Sequence, residues 1–419
     1  MSTEGKINIQ LITAAVLLGI FSGLSTAETI YVDSSASGAN DGSSWTDAFN
    51  FLQDGLSGAE YDDEIRVAEG IYYPSVKVGG TSDRNKTFQL INGVAIYGGF
   101  PSGGGTWADR DSDQYETILS GDIDGDDIID PNKTENSYHV FYHPEGLALE
   151  PNAVLDGFTI TAGNANLDSV PHRYGGGMLN WDYNSPTVTG CTFTGNSAYW
   201  VGGGMCNSKS SPAVTNCTFI GNSTEYLDGG GMFNNQSNPI VTNCSFTGNS
   251  AVRLGGGMHN DESSPAVTDC TFIGNLANKG GGGMCNSENS PTVTNCTFGS
   301  NSVEGENSRG GGMLNYTYSS PEVSHCTFSG NSADDGGGMA NDSYSSPTVT
   351  DCTFTGNEAG SDGGGMYNED SNPTATNCNF TGNSAYYGGG MKNWRSNSIV
   401  VNCTFSGNSA NLHGGGMYN

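Results

Sequence analysis

The tetrapeptide Gly-Gly-Gly-Met occurs ten times between Gly175 and Met417, at intervals of 25 to 29 residues. Between copies lies a second block of the form S-P-x-V-T-x-C-T-F-x-G-N-S-A. Its cysteines fall at 191, 217, 244, 270, 296, 326, 352, 378 and 403, each followed two residues later by Phe and, three further on, by Asn. A unit of about 26 residues cannot bury a core alone. Repeated without interruption, such units stack into a solenoid whose core is shared between neighbours.

Within the unit, Val188, Cys191 and Phe193 are apolar with Thr between them, close to the period of two of a strand. Gly and Asn punctuate every few residues, and no stretch sustains a helical apolar face. Three short strands and three turns per unit predict one coil of a right-handed parallel β-helix, with coils about 4.8 Å apart. Val188, Cys191, Phe193, Ala198 and Met205 are expected inward and Thr192 and Thr194 outward. The Asn196 series is expected to stack at a bend, because an unpaired buried amide costs about 1–3 kcal/mol. The glycines at 202–204 would supply positive φ or close approach at a corner, and Pro186 would open a strand. The residue after each repeat Met varies freely (Leu, Cys, Phe, His, Cys, Leu, Ala, Tyr, Lys, Tyr). It therefore reads as an outward site, which places Cys206 and Cys285 outside.

The two ends differ from the middle. Residues 7–24 are largely apolar after Lys6, with small residues at Ser25–Ala27. This predicts a signal peptide over residues 1–27 and an exported protein. Residues 28–174 break the strict repeat and are expected to form an N-terminal cap and irregular first coils, with one continuous solenoid favoured over two domains. Ser44 would cap a short helix burying Trp45, Phe49, Leu52 and Leu56, which would cover the open solenoid end. Regular coils follow over 175–419. The chain stops at His413–Asn419, midway through a unit, and this is read as a truncation.

The motifs F-T-G-N (Phe193–Asn196) and G-G-G-M resemble the repeats of chlamydial polymorphic outer membrane proteins. The opening I-Y-V-D-S-S-A-S-G-A-N-D-G-S-S-W-T-D-A-F-N-F-L-Q-D-G-L, followed by I-R-V-A-E-G-I-Y-Y-P, resembles secreted β-helix proteins of the pectate-lyase-like superfold. Together these cover nearly the whole mature chain. The first resemblance implies surface display and adhesion, commonly through a C-terminal barrel, so membrane contact would need an anchor that this sequence lacks.

What chemistry could such a chain carry? The glycine triplets do not read as phosphate loops, because Met-x-Asn at strand spacing follows them where such a loop needs a helix N-terminus. Nine cysteines belong to the inward series and read as buried free thiols; a linear ladder cannot surround a zinc ion. Residues 121–130 cluster Asp122, Asp124, Asp126, Asp127 and Asp130, hard oxygen ligands that could hold Ca²⁺, although Gly125 is misplaced for an EF-hand. No other cofactor is expected.

With 14 Lys plus Arg and a net charge of -30, the chain lacks the basic stripe that nucleic acid requires. Arg253 and Arg309 read as standing alone in their loops, and Asp334–Asp335 and His413 as isolated. Aromatic residues in the variable loops, namely Trp181, Tyr183, Tyr199, Trp200, Tyr316, Tyr318, Tyr344, Tyr386, Tyr387 and Trp394, are the candidate ligand contacts. The expected role is an extracellular or cell-surface scaffold for adhesion, or for carbohydrate or partner-cell protein binding. The alternative is a polysaccharide lyase or glycoside hydrolase acting on acidic glycans, with the catalytic residues unassigned.

Overall fold

A computed structural model describes residues 27–126 and 134–419. The expected signal peptide, Ala27 excepted, lies outside the described residues. Every ladder that joins named strands is parallel, and the strands form four sheets of 13, 12, 11 and 10 strands stacked along the solenoid axis, the two smaller ones starting at Phe141–His143 and Asn164–Ala165. Each regular coil therefore has four short strands, not three. In one coil these are Met178–Trp181, Thr187–Thr189, Thr192–Thr194 and the two-residue Ser197–Ala198. The unforeseen strand is Ser197–Ala198, too short for a period of two to register. The 13-stranded sheet starts at Thr29–Val32 and ends at Ile399–Val401 without a break.

The core follows the inward series. Val188, Cys191, Phe193, Ala198 and Met205 are buried, and so are their counterparts up to Met391. Successive Phe rings from Phe193 to Phe405 stack at 4.7–4.8 Å with planes within 5°. Each buried ring contributes about 1.5–3 kcal/mol by leaving water. All eleven cysteines are free. The Cys191 N–H points at Cys217 Sγ (3.5 Å), and the Cys217 thiol donates to the Val188 carbonyl. Burial pushes that thiol well above its ordinary range.

Two asparagine ladders close the bends. Asn196 Nδ2 donates to the Ile160 carbonyl (2.9 Å) and to Asn222 Oδ1 (3.1 Å), a pattern that repeats coil after coil. The Asn of each M-x-N forms a second ladder, from Asn180 to Asn207 to Asn234 at 2.8–2.9 Å. His143 starts it, donating from Nδ1 to Asn180 Oδ1 (2.7 Å) while Nε2 accepts from the Leu90 N–H. Burial lowers His143 to about 4, keeping it neutral for that double role. Gly202 has φ +69°, and a Cβ on Gly203 would lie 2.3 Å from the Ser223 carbonyl oxygen. The triplet thus serves both positive φ and close approach.

The N-terminal helix is shorter than expected, Leu52–Gly58. Leu52 and Leu56 are buried with Ile30, Val32 and Ile65. Phe49 leaves the helix because its N–H donates to the Tyr31 carbonyl (2.9 Å), extending the first sheet. Trp45 instead packs on Tyr31 and Phe100 and donates from Nε1 to the Gly105 carbonyl. Ser44 caps only a local turn, accepting from the Asp47 N–H.

Candidate functional site

The residue after each repeat Met is not a free outward site. Leu179, Cys206, Phe233, His259, Cys285, Leu314, Ala340, Tyr367 and Lys392 are all buried. They point away from the Phe core, as strand alternation requires, but the segment before each glycine triplet folds over them. The result is a second apolar cluster around Tyr142, Leu179, Val201, Cys206 and Phe233, and a third around Leu254, Cys285, Leu314, Ala340 and Tyr367. Burial raises the Cys206 and Cys285 thiols far above their ordinary range.

Register turns these positions into three columns along the solenoid axis. The middle column is the one just described. On one side runs the fourth residue of each M-x-N strand, including Trp181, Ser208, Asn235, Asp261, Ser287 and Tyr316. On the other runs the covering segment, with bridges from Tyr174 through Val201 to Asp228 and from Leu254 through Gly280 and Arg309 to Asp335. The face between the outer columns, here the groove, holds a cavity toward each end.

The first cavity, about 310 Å³, is lined by Tyr174, Trp181, Trp200, Phe233, Arg253 and Asp261 among others. Tyr174 lies 5.5 Å from Trp181 and 6.1 Å from Trp200. At its inner edge, Arg253 donates from Nε and Nη2 to the two oxygens of Asp228 (3.0 and 2.6 Å), and His259 Nδ1 stands 3.4 Å from the same carboxylate. Burial pushes the Asp228 carboxyl up, but His259 and Arg253 outweigh it and hold it below its ordinary value. In mid-groove, Arg309 contacts Asp342, Glu369 (2.7 Å) and Asp335 (3.8 Å). Burial raises Asp335 to about 6, against the pull of Arg309 and with help from Asp362. The second cavity, about 420 Å³, is lined by Asp362, Tyr367, Tyr387, Lys392, Trp394, His413 and Tyr418. The Lys392 ammonium lies 4.3 Å from the Tyr418 ring centre, 4.7 Å from Tyr387 and 3.8 Å from Asp362 Oδ1.

The aromatic candidates therefore separate. Trp181, Trp200, Tyr316, Tyr387 and Trp394 border the groove. Tyr318 and Tyr344 stack on each other at 5.5 Å in the turns beyond it, and Tyr183 stands 73% exposed in an equivalent turn. Tyr199 stacks on Tyr226, while Tyr386 is exposed with its edge against Tyr387. Arg253, Arg309, Asp335 and His413 are not isolated, since each sits in this groove among partners from other coils. Asp228, His259, Asp342, Asp362, Tyr367, Glu369 and Lys392 went unread. Aligning the units by column would have exposed them, because charge concentrates in columns that a motif search reads as variable.

Elsewhere, Asp122, Asp124 and Asp126 bring carboxylate oxygens within 4.8 Å of one another. Asp127 and Asp130 lie outside the described residues. Asp122 Oδ1 accepts from the N–H groups of Gly125 and Asp126, so the turn is shaped by its own hydrogen bonds.

Fold and site together define a parallel β-solenoid with two lined cavities on one face. The family model described as the right handed beta helix region matches residues 123–305 and 259–419. The chain belongs to that family, and its coils are right-handed. No curated protein sequence matches it. Similar solved structures include pectate lyase Pel9A, at 12% identity and a TM-score of 0.43 over 91% of this chain and 79% of that one. The catalytic unit of the thermostable GH87 alpha-1,3-glucanase from Streptomyces thermodiastaticus gives 12% identity and 0.41 over 86% and 66%. A rhamnogalacturonan lyase gives 12% and 0.27 over 90% and 88%. These are likenesses of fold. Among the described residues no helix is long and apolar enough to cross a membrane.

Proposed function

We propose that the protein is an exported carbohydrate-binding scaffold that holds a polysaccharide chain along this groove, parallel to the solenoid axis. The observation that carries the reading is the alignment, on one face, of ring-bearing cavities at both ends with charged and hydrogen-bonding groups between them. Rings supply large apolar faces at low entropic cost, and the polar groups between them fix orientation. Displayed on a surface, the same groove would serve adhesion by taking the glycan of a neighbouring cell. Affinity electrophoresis against soluble polysaccharides tests it. Trp200→Ala and Trp394→Ala should each weaken binding about tenfold or more, the loss of an aromatic anchor, and Tyr183→Ala should leave it unchanged. Wild-type affinity in both Trp variants would sink the groove as the binding site.

A second reading, hydrolysis of the bound chain, is favoured by the Arg309 cluster. Asp335, raised to about 6, can give a proton, and Asp342 and Glu369 on Arg309 offer carboxylates to accept one. That is the minimal equipment for glycosidic cleavage. New reducing ends, lost in Asp335→Asn with binding retained, would support it; their absence with wild-type protein would leave a binder. At the separate Asp122–Asp126 turn, calcium binding would show as a raised melting temperature at millimolar Ca²⁺, and no shift would exclude a site there.

A further inference from the structure

We infer, resting on the polysaccharide-binding reading, that the groove takes an uncharged glycan and discriminates against both polyuronates and amino-sugar polymers. The cations at the cavities are engaged by the protein's own groups, Arg173 among them, which covers the Trp200 ring at 3.4 Å and lies 3.4 Å from Asp168. Arg253 chelates Asp228 (2.6 and 3.0 Å), Arg309 is shared by Asp342, Glu369 and Asp335, Lys392 faces Asp362, and Arg395 at the rim pairs with Asp370. A uronate carboxylate entering the cleft would have to displace one of these partners, each delivered by the solenoid itself. Asp261, held by a hydrogen bond from Asn235 Nδ2 (3.2 Å), adds a further negative charge at the first cavity. The whole chain, at -30, would repel a polyanion before contact.

A polycation fares no better at short range. The aromatic box of Tyr387, Trp394 and Tyr418, which would otherwise welcome an ammonium, is filled by the protein's own Lys392. Asp228, Asp342 and Glu369 are spent on Arg253 and Arg309, and Asp261, with Asn235 as its hydrogen-bond partner, is the first-cavity carboxylate that an amino sugar would have to reach. What the lining does offer is ring faces for C–H surfaces, together with carboxylate oxygens and guanidinium edges for hydroxyl groups. A hydroxyl both donates and accepts, so a neutral sugar can use such paired charges without breaking them. An uncharged sugar also has no carboxylate to acidify its C5 proton, so any cleavage here would be hydrolysis and not elimination.

The test uses the full chain and four soluble probes: a mixed-linkage β-glucan, dextran, polygalacturonate and glucosamine oligomers, each titrated at about 20 mM and about 500 mM salt, conditions that span weak and strong screening. The expected result is binding to at least one neutral glycan. Its affinity should change less than about threefold with salt, and polygalacturonate should bind at least about 100-fold more weakly at low salt. Polygalacturonate or the glucosamine oligomers binding more tightly than both neutral probes would overturn the inference while leaving the groove reading intact, provided the Trp200 and Trp394 variants lose that binding. Binding that survives both Trp variants, or no binding of any probe, would overturn the groove reading and this inference with it.

Discussion

Asn249 shows how much one repeated side chain carries. It is fully buried, donates to the Phe219 carbonyl (2.9 Å) and to Asn275 Oδ1 (3.0 Å), and accepts from both the backbone and the amide of Asn222. Asn249→Ala strands several of these groups in a dry bend. At about 1–3 kcal/mol for each unpaired group, the loss should exceed about 3 kcal/mol, and native-state hydrogen exchange should show the coils on either side opening first. Asn216→Ala removes one exposed side-chain contact from Asn243 and sets alanine at φ 54°, so it should cost about 1 kcal/mol, well below Asn249→Ala. Asp335 makes the complementary case. Its folded value of about 6 lies above the ordinary 3.8, so the unfolded chain releases its proton first. The associated stability is fully present below about pH 4 and is lost as pH rises through 6. The span amounts to at most about 3 kcal/mol. Asp335→Asn should flatten the fall in melting temperature over that window, and an unchanged slope would assign the fall to other groups.

At the scale of the element, legibility tracked how a residue is used. The inward Val, Cys and Phe were readable because every coil needs the same shape there, so identity repeats. The second Asn ladder was in plain view in M-x-N but lacked the apolar alternation that flags a strand. The groove was hidden for the opposite reason. Its columns vary from coil to coil, and variation reads as freedom until register stacks His259 on Phe233 and Cys285. In the earlier coils the covering segment is a single bridged residue such as Val201 or Gly280, below what periodicity can detect, and only from Ser332–Asp335 onward does it merge into strands of four or five residues. The glycine corner makes this testable. Gly203→Ala would set a methyl against the carbonyl oxygens of Ser223 (2.3 Å) and Gly230 (2.7 Å), both backbone and unable to yield. Gly221→Ala, at φ +59° with nothing within 4 Å, incurs only left-handed strain of about 1–2 kcal/mol. Limited proteolysis should therefore cut near the triplet in Gly203→Ala and spare Gly221→Ala; equal resistance would mean that the corner is looser than these distances imply.

Across the whole molecule, the dominant long-range term is charge. A net charge of -30 is spread along coils only about 4.8 Å apart, so acidic side chains on neighbouring coils face one another well inside a screening length. The cations that relieve this are few and concentrated: Arg309 alone contacts three carboxylates from three later coils. These half-buried contacts are screened weakly, whereas exposed carboxylates repel through solvent and are screened strongly. Raising salt from about 10 mM to about 0.5 M shortens the screening length from about 30 Å to a few Å. It should therefore remove more repulsion than attraction, and the melting temperature should climb steadily over that range. A falling melting temperature would mean that the groove's ion pairs, and not the repulsion between coils, set the electrostatic balance. The Arg309→Met variant separates the two. It should melt lower than wild type at every salt concentration, because it leaves Asp342 without its arginine and Glu369 with only the partly exposed Arg395 (3.5 Å), and its melting temperature should rise more steeply with salt.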